Sequence, residues 1–319
     1  MSQLNRADLD DAAAIVHRHF PGTPQYCWPL LSEAVGAEVW VKHEDATPVG
    51  AFKVRGGLVF MNRHRDLAGS GIISATKGNH GQSLAFAGRA YGVPVTIVVP
   101  EGNSPDRTAV ITALGADLIV GGRDFQAAAE RASAEAEQRG LDFVPSFHPD
   151  LVAGVATYAL ELFAGAPPLD AVYVPIGLGS GICGLIGVRD LLGLPTEIIG
   201  VVADGAPTYA LSVAAGRVVA TPNAYTFVDG VACRQPDPVA LDIIRAGAAR
   251  VIRVPDEATA DAMRLCYRTT HHLPEPAGAI ALAGLCVEAE LQAGRRVGVI
   301  LTGANMDTTT AIDVLAGSV

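Results

Sequence analysis

The segment Lys42-His-Glu-Asp-Ala-Thr-Pro-Val-Gly-Ala-Phe-Lys53-Val-Arg-Gly-Gly57 carries the main fold signal of the chain. An apolar run ends near Lys42, a turn with proline and glycine follows, and Lys53 precedes a predicted helix over Gly56–His64. A lysine near the positive end of a helix, partly shielded from water, loses its proton more easily, and the neutral amine can form a Schiff base with an aldehyde. Most lysines instead extend over the surface with the amine in water, so this segment alone leaves both interpretations open.

Around this segment, short β-branched runs alternate with Ala-rich stretches of helical length. This alternation predicts parallel sheets covered by helices on both faces, with ligands at the carboxyl ends of the strands. The predicted strands are Glu38–Val41, Gly71–Ala75, Val95–Val99, Ala116–Val120, Ala171–Ile176, Ile198–Val202, Arg250–Val254 and Val297–Leu301. The predicted helices include Arg6–His17, Gly56–His64, Gly81–Tyr91, Arg107–Leu114, Phe125–Gln138, Val152–Phe163, Ile182–Leu192, Pro238–Ala246, Ala258–Thr270 and Ala279–Ala293.

A second motif, Ser74-Ala-Thr-Lys-Gly-Asn-His-Gly-Gln82, follows a predicted strand. Gly78 and Gly81 allow the backbone to approach a ligand closely, and the N–H groups at the start of the next helix can hold a carboxylate. Asn79 can hydrogen-bond a phenolic or carbonyl oxygen, or it can simply cap the helix. Both roles stay open at this point.

A third motif, Val174-Pro-Ile-Gly-Leu-Gly-Ser-Gly-Ile-Cys-Gly184, joins a strand to a helix through a glycine-rich turn that could cradle a phosphate. Gly179–Gly184 also fits the dinucleotide pattern GxGxxG, and Asp204 follows at a strand end where an acid would bind a ribose hydroxyl. Tight helix–sheet packing is a third explanation. The dinucleotide pattern accounts for this one loop only.

Two later motifs carry single polar groups. In Leu301-Thr-Gly-Ala-Asn-Met306, Thr302 offers a hydroxyl that can bind a neutral pyridine nitrogen, although this motif alone favours a turn-capping threonine. In Pro274-Glu-Pro-Ala-Gly278, two prolines hold the carboxylate of Glu275 before a predicted helix, where acidic residues are common.

Composition limits the class of protein. The chain has 319 residues, of which 50% are hydrophobic and 18% charged, so it can bury a core and is not a disordered chain. Its net charge of −10 disfavours nucleic-acid binding, and no apolar run approaches the roughly 20 residues of a membrane span. The start lacks an apolar signal core, and five scattered cysteines without a CxxC pair indicate free thiols. We therefore expect a cytoplasmic protein with no nucleic-acid or membrane partner.

In this order, the motifs resemble those of fold-type II pyridoxal-phosphate enzymes, in the threonine/serine dehydratase and serine racemase branch, from about Thr23 to Asp307. The resemblance implies an α/β fold like that of the tryptophan synthase β chain, with two parallel-sheet domains and the cofactor between them. Residues 1–69 and 149–319 would form a large cofactor-binding domain, and residues 70–148 a small mobile one. Asp150 is the predicted N-cap after the second boundary. The group is typically dimeric, which predicts a homodimer.

The resemblance also implies residue roles. Lys53 is the predicted catalytic residue, which binds the cofactor and then moves the proton. Asn79 would contact the cofactor's 3-hydroxyl, Thr302 its ring nitrogen, and the loop amides its phosphate. The cofactor-binding residues are Phe52, Lys53, Asn79, Gly177, Leu178, Gly179, Ser180, Gly181, Glu275 and Thr302. The substrate-binding residues are Thr76, Lys77, Gly78 and His80, with Gly154-Val-Ala-Thr157 bordering the site. A divalent or monovalent cation would use Asp204 or Asp229.

The activity implied is a lyase reaction: a β-hydroxy-α-amino acid of the L-threonine or L-serine type yields a 2-keto acid and ammonia. Many relatives have serine where this chain has Ala51, and racemising relatives have serine where it has Lys77. The consecutive glycines of the family's phosphate loop are interrupted by Leu178 and Ser180. These departures leave 3-phenylserine and 3-hydroxyaspartate open as substrates. The alternatives are an amino-acid racemase, a β-replacement enzyme and, more distantly, a nicotinamide-dependent oxidoreductase.

Overall fold

The computed structural model describes residues 4–64, 69 and 71–319. The strands are β1 (Gln25–Cys27), β2 (Glu38–His43), β3 (Ile72–Ala75), β4 (Val95–Val99), β5 (Asp117–Val120), β6 (Asp142–Phe143), β7 (Ala171–Pro175), β8 (Glu197–Ala203), β9 (Arg250–Val254) and β10 (Arg296–Leu301). The helices are α1 (Arg6–His17), α2 (Pro29–Val35), α3 (Lys53–His64), α4 (Asn79–Tyr91), α5 (Pro105–Ala113), α6 (Phe125–Arg139), α7 (Pro149–Gly165), α8 (Ser180–Leu191), α9 (Thr208–Ala215), α10 (Pro238–Gly247), α11 (Asp256–Thr270), α12 (Pro276–Val287), α13 (Ala289–Gln292) and α14 (Thr308–Ala316).

The larger sheet has the strand order β1-β2-β10-β7-β8-β9. The edge strand β1 is antiparallel to β2, and the other neighbours are parallel. Apolar side chains of α7, α8 and α10 pack on one face, and those of α2, α11 and α12 pack on the other. Strands buried on both faces read as continuous apolar runs, as in Ala171–Pro175, which is buried throughout.

The smaller sheet has the order β5-β4-β3-β6, and its strands are all parallel. Apolar side chains of α3 and α4 cover one face, while alanines of α6 pack against β3 and β4 on the other. The predicted α/β fold with two parallel sheets is confirmed. The first predicted domain boundary lies beside residue 70, which is outside the described residues, so the domain division stays a prediction.

The eight predicted strands are present, with ends that differ by at most two residues. Three helix predictions are wrong in detail. Helix α3 begins at Lys53 rather than Gly56, because the N–H of Phe52 is held by the carbonyl of Thr302 at 3.0 Å. Helix α7 begins at Pro149 and is capped by His148, whose ring nitrogen accepts from the N–H of Asp150, so Asp150 is not the cap.

The third helix prediction, Ala279–Ala293, corresponds to two shorter helices. Helix α12 begins at Pro276, where the fixed φ of proline suits the first turn, and ends at Val287. After it, the carboxylate of Glu288 binds Arg250 and the hydroxyl of Tyr173. No described helix has the length and apolar character needed to cross a membrane.

Candidate active site

Lys53 is the first residue of α3, and its amine is enclosed. Its Nζ lies 4.6 Å from the centre of the Phe52 ring, and it has no hydrogen-bond or ion-pair partner among the described residues. Burial lowers the pKa of Lys53 to about 8, although the Glu275 carboxylate acts in the opposite direction. At pH 7 about one such amine in ten is therefore unprotonated and able to act as a nucleophile or base. The Ser83 hydroxyl donates to the carbonyl of Lys53 at 2.6 Å and fixes the backbone there.

The glycine-rich loop between β7 and α8 presents unpaired N–H groups. None of the N–H groups from Gly177 to Gly181 donates to a described residue. Two carbonyl oxygens of the same segment accept hydrogen bonds from tyrosines. The Tyr209 hydroxyl donates to the carbonyl of Leu178 at 2.9 Å, and the Tyr158 hydroxyl donates to the carbonyl of Gly181 at 2.8 Å. The loop therefore directs donors to one side, at the positive end of a helix, which is the arrangement that binds an anion.

Two glycines of this loop are required by its path. A Cβ at Gly177 would lie 2.8 Å from the carbonyl oxygen of Gly230, so no side chain fits there. Gly179 has φ +100°, which disfavours other residues, and its Cβ would lie 2.8 Å from the Cβ of Ala240. The hydroxyl of Ser180, in the first turn of α8, is a further donor without a described partner. This donor set fits an anion such as a phosphate ester.

The loop lies next to the lysine. A Cβ at Gly181 would be 3.6 Å from Cε2 of Phe52, whose ring also lies 4.6 Å from the amine of Lys53. Phe52 is half-buried and meets Tyr158 edge-on, with the ring centres 6.3 Å apart. An amine for an aldehyde and a cradle for a phosphate are thus within one site, as pyridoxal phosphate requires.

The second motif forms the start of α4. The N–H of Gly78 donates to the hydroxyl of Thr76 at 3.0 Å, and Asn79 begins the helix. His80 is buried with its Nε2 unpartnered among the described residues, and burial together with the charge of Lys53 lowers its pKa to about 3. His80 is therefore neutral near pH 7. Among the four predicted substrate residues, only Lys77 is exposed.

Asn79 and Glu275 are in contact, although Asn79 begins α4, which covers the smaller sheet, and Glu275 precedes α12, which covers the larger sheet. Asn79 Nδ2 donates to Glu275 Oε1 at 2.6 Å. Glu275 caps α12, and burial raises the pKa of its carboxyl to about 7, while the positive charge of Arg107 and the Asn79 bond act against this. The N–H of Glu275 donates to Gly303 at 3.0 Å, which ties it to the loop after β10.

Thr302 directly follows β10 and is buried, as an inward-facing hydroxyl at a strand end should be. Its Oγ1 donates to the carbonyl of Ala277 at 3.1 Å. A hydroxyl has one proton, so Thr302 must turn away from Ala277 to donate to a ring nitrogen.

The two cation candidates do not come together. Asp204 pairs with Arg253 at 2.9 Å, and Asp229 pairs with Arg107. In the described part of the chain, the two groups of side chains spaced for a metal ion are His43 with Asp45 and His272, and His64 with His148 and Asp150. Neither group contains Asp204 or Asp229, and the predicted cation gains no support.

Two residues of the site were missed from the sequence. Arg107 of α5 packs against the loop before α4: a Cβ at Gly78 would lie 2.9 Å from its Cδ. Its Nε donates to the carbonyl of Asn305 at 3.1 Å. Asn305 stood inside the Thr-Gly-Ala-Asn motif but was given no role, whereas no motif marked Arg107.

Known proteins resemble this chain along nearly its whole length. L-threonine ammonia-lyase of Geobacter sulfurreducens is 34% identical over 282 residues, which are 88% of this chain and 70% of that protein. L-threo-3-hydroxyaspartate ammonia-lyase of Saccharomyces cerevisiae is 28% identical over 97% of this chain and 96% of that protein. The solved structure of the processed form of threonine deaminase isoform 2 from Solanum lycopersicum superposes with a TM-score of 0.90 at 28% identity, covering 99% of this chain and 95% of that chain.

These likenesses agree with the donor loop and the buried amine. The family model described as "Pyridoxal-phosphate dependent enzyme" matches residues 16–303, which include the site residues discussed above apart from Asn305. On this match, the chain belongs to the family of pyridoxal-phosphate dependent enzymes.

Proposed function

We propose that this protein is an ammonia-lyase that removes water from a β-hydroxy-α-amino acid and releases a 2-keto acid and ammonia. The observation that carries the proposal is the buried amine of Lys53, which has no partner among the described residues and lies beside the glycine-rich loop. Relatives named as ammonia-lyases for L-threonine and L-threo-3-hydroxyaspartate support the same reaction class. The family assignment removes the dinucleotide interpretation of Gly179–Gly184.

The residues divide the chemistry among them. Bound pyridoxal phosphate supplies an electron sink for negative charge at the substrate Cα. Lys53, with a pKa near 8, accepts the Cα proton and can return it near neutral pH. The N–H groups from Gly177 to Gly181 hold the phosphate, and those at the start of α4 take the substrate carboxylate. The β-hydroxyl leaves as water once it has gained a proton.

Within this reaction class, the candidate substrates differ in their side chain. L-threonine and L-serine come first, because the Geobacter sulfurreducens relative, which is 34% identical, is named for threonine. Arg107 beside Gly78 favours L-threo-3-hydroxyaspartate as the second candidate, because a guanidinium can bind the extra carboxylate. Asp229 already pairs with Arg107, which weakens that candidate.

The direct test is keto-acid release by the purified protein from L-threonine, L-serine, L-threo-3-hydroxyaspartate and threo-3-phenylserine. We expect turnover of at least one, with ammonia in equal amount. The recovered substrate is also checked for inversion at Cα. Inversion without keto acid would favour a racemase, and no reaction with any of the four would count against the lyase assignment.

Replacing Gly179 with alanine should weaken cofactor binding at least about tenfold, because the loop must change its backbone conformation and move away from α10 to admit a methyl group. The left-handed φ of +100° and the 2.8 Å approach to Ala240 act together at this position. Titration of the cofactor-free protein with pyridoxal phosphate measures the effect. Gly193→Ala is the matched control, because it has φ +62° with open space around it. Equal losses in the two variants would show that backbone strain, not the loop, is responsible.

The proposal includes the site residues, the division at residues 70–148 and a homodimer, which follow from the resemblance. It also includes a cytoplasmic location, which the scattered cysteines support. An amino-acid racemase and a β-replacement enzyme remain the alternatives. The substrate panel separates the first by inversion, and the second by its lack of ammonia release.

A further inference from the structure

Asn305 lies where the two sheets meet, and its amide has only one possible orientation. Its Nδ2 is 2.7 Å from the carbonyl oxygen of Val49, 2.9 Å from Asn79 Oδ1 and 2.9 Å from Gln82 Oε1. A peptide carbonyl can only accept, so the atom that faces Val49 must be the nitrogen. On its other side, Oδ1 is close to Gly50, where a Cβ would lie 2.9 Å away.

The orientation of the Asn305 amide determines that of the Asn79 amide. Because Asn305 donates, the atom of Asn79 that faces it must be the oxygen. The Nδ2 of Asn79 therefore points the other way, to Glu275 Oε1 at 2.6 Å. An isolated asparagine amide could turn over and exchange its donor and acceptor arms, but here a fixed backbone carbonyl at Val49 sets the direction of the whole chain of bonds.

We propose that Asn305 is a positioning residue that makes Asn79 present its N–H₂, rather than its oxygen, to the oxygen at position 3 of the cofactor ring. The inference rests on the proposed function and on the predicted place of Asn79 beside that oxygen. One hydrogen of Asn79 Nδ2 is used by Glu275, and the second is free for the ligand. A donor at this point favours an oxygen that can accept a hydrogen bond.

The surroundings of Asn305 make the donor hard to replace. Three acceptors lie within 2.9 Å of its Nδ2, which has two hydrogens, so both hydrogens are used within the protein. The Nε2 of Gln82 is buried without a described partner and does not substitute for it. The backbone carbonyl of Asn305 accepts a hydrogen bond from Arg107 Nε at 3.1 Å. Aspartate at 305 would keep the shape and turn a donor into an acceptor.

The test measures binding rather than turnover. The full chain, freed of cofactor, is titrated by calorimetry with 4-deoxypyridoxine phosphate, which cannot bond covalently to lysine, and with its analogue lacking the 3-hydroxyl. We expect the wild type to bind the hydroxyl-bearing ligand at least about tenfold more tightly. Asn305→Asp should reduce this ratio to about one or two, because Asn79 turns its oxygen to the ligand.

Controls separate orientation from packing. Asn305→Ala, which should fold even if the aspartate variant does not, should also lower the ratio. Asn62→Asp adds the same charge on α3, where Asn62 donates to Tyr91 at 3.2 Å, and should leave the ratio unchanged.

A purely structural role for Asn305 would weaken both ligands together and keep their ratio, and that result overturns the inference. A wild type that binds both ligands equally overturns it as well. If the wild type binds neither ligand, the proposed function fails and the inference fails with it.

Discussion

Replacing Lys53 with alanine should lower keto-acid release by at least about 1,000-fold, because in the proposed function one amine acts as nucleophile and as base. The chain contains three lysines, and the other two cannot take its place. Lys42 is buried in an ion pair with Glu161 at 2.6 Å, and Lys77 is exposed. Steady-state kcat with the preferred substrate measures the loss.

Lys53→Arg distinguishes the base from the charge. It keeps a cation at the start of α3, but a guanidinium does not lose its proton near neutral pH. We expect it to be as inactive as the alanine variant. Added methylamine should restore part of the activity of Lys53→Ala, because a small amine can enter the space left. Activity within about tenfold of wild type in either variant would contradict the role of Lys53.

The second large effect, on stability, concerns a buried group of charged side chains around Arg55 in the first turn of α3. Arg55 is fully buried and donates from Nε and Nη2 to Glu44 at 2.7 and 2.9 Å. Its Nη1 and Nη2 donate to Glu161 at 2.7 and 2.8 Å. Lys42 completes the group, so two cations balance two carboxylates. Arg55 and Lys53 lie in the same turn of α3, so the ion pairs of Arg55 also hold the start of this helix in place.

Glu161→Gln should lower the free energy of unfolding by about 3–5 kcal/mol at pH 7, because it leaves a buried positive charge without its partner. Urea unfolding of the cofactor-free protein measures it. Asp10→Asn is the matched control: its partner Arg6 lies at 2.9 Å on the exposed side of α1, where such pairs contribute about 1 kcal/mol or less.

The effect of Glu161→Gln should depend on pH in a known direction. The Arg55 guanidinium, despite burial, holds the pKa of Glu161 at about 2, below its ordinary 4.5. A carboxyl whose pKa is lower in the folded state contributes stability above the unfolded value, and this is lost as pH falls through the folded value. The difference between variant and wild type should therefore shrink from about pH 4.5 to about pH 2. A difference that grows on acidification would contradict the ion-pair explanation.

The sequence predicted the parts of the site that local motifs encode. Lys53, Asn79 and the loop Gly177–Gly181 each stand at the junction of a strand and a helix, where residue type and backbone path are set by near neighbours. The five parallel strands of the larger sheet were found for the same reason, since apolar runs of this length are distinctive. Strands β1 and β6, with three and two residues, are too short to show a period.

What the sequence could not predict depends on distant contacts. Helix α3 begins at Lys53 because Phe52 is held by Thr302, which is remote in the sequence. Arg107 pairs with Asp229, the acid proposed as a cation ligand, and no motif in the sequence marks this pair. The orientation of Asn79 depends on the carbonyl of Val49 through Asn305, and no pattern in the sequence records a hydrogen-bond direction.

The central claim is that Lys53 carries pyridoxal phosphate, and borohydride reduction of the protein as purified tests it most directly. After proteolysis, mass spectrometry should find the phosphopyridoxyl group on the peptide that contains Lys53. The peptides with Lys42 and Lys77 provide internal references, because the remaining lysines of the chain lie in them. We expect the label on Lys53 alone. A label on Lys42 or Lys77, or none on a protein shown to contain the cofactor, would contradict it.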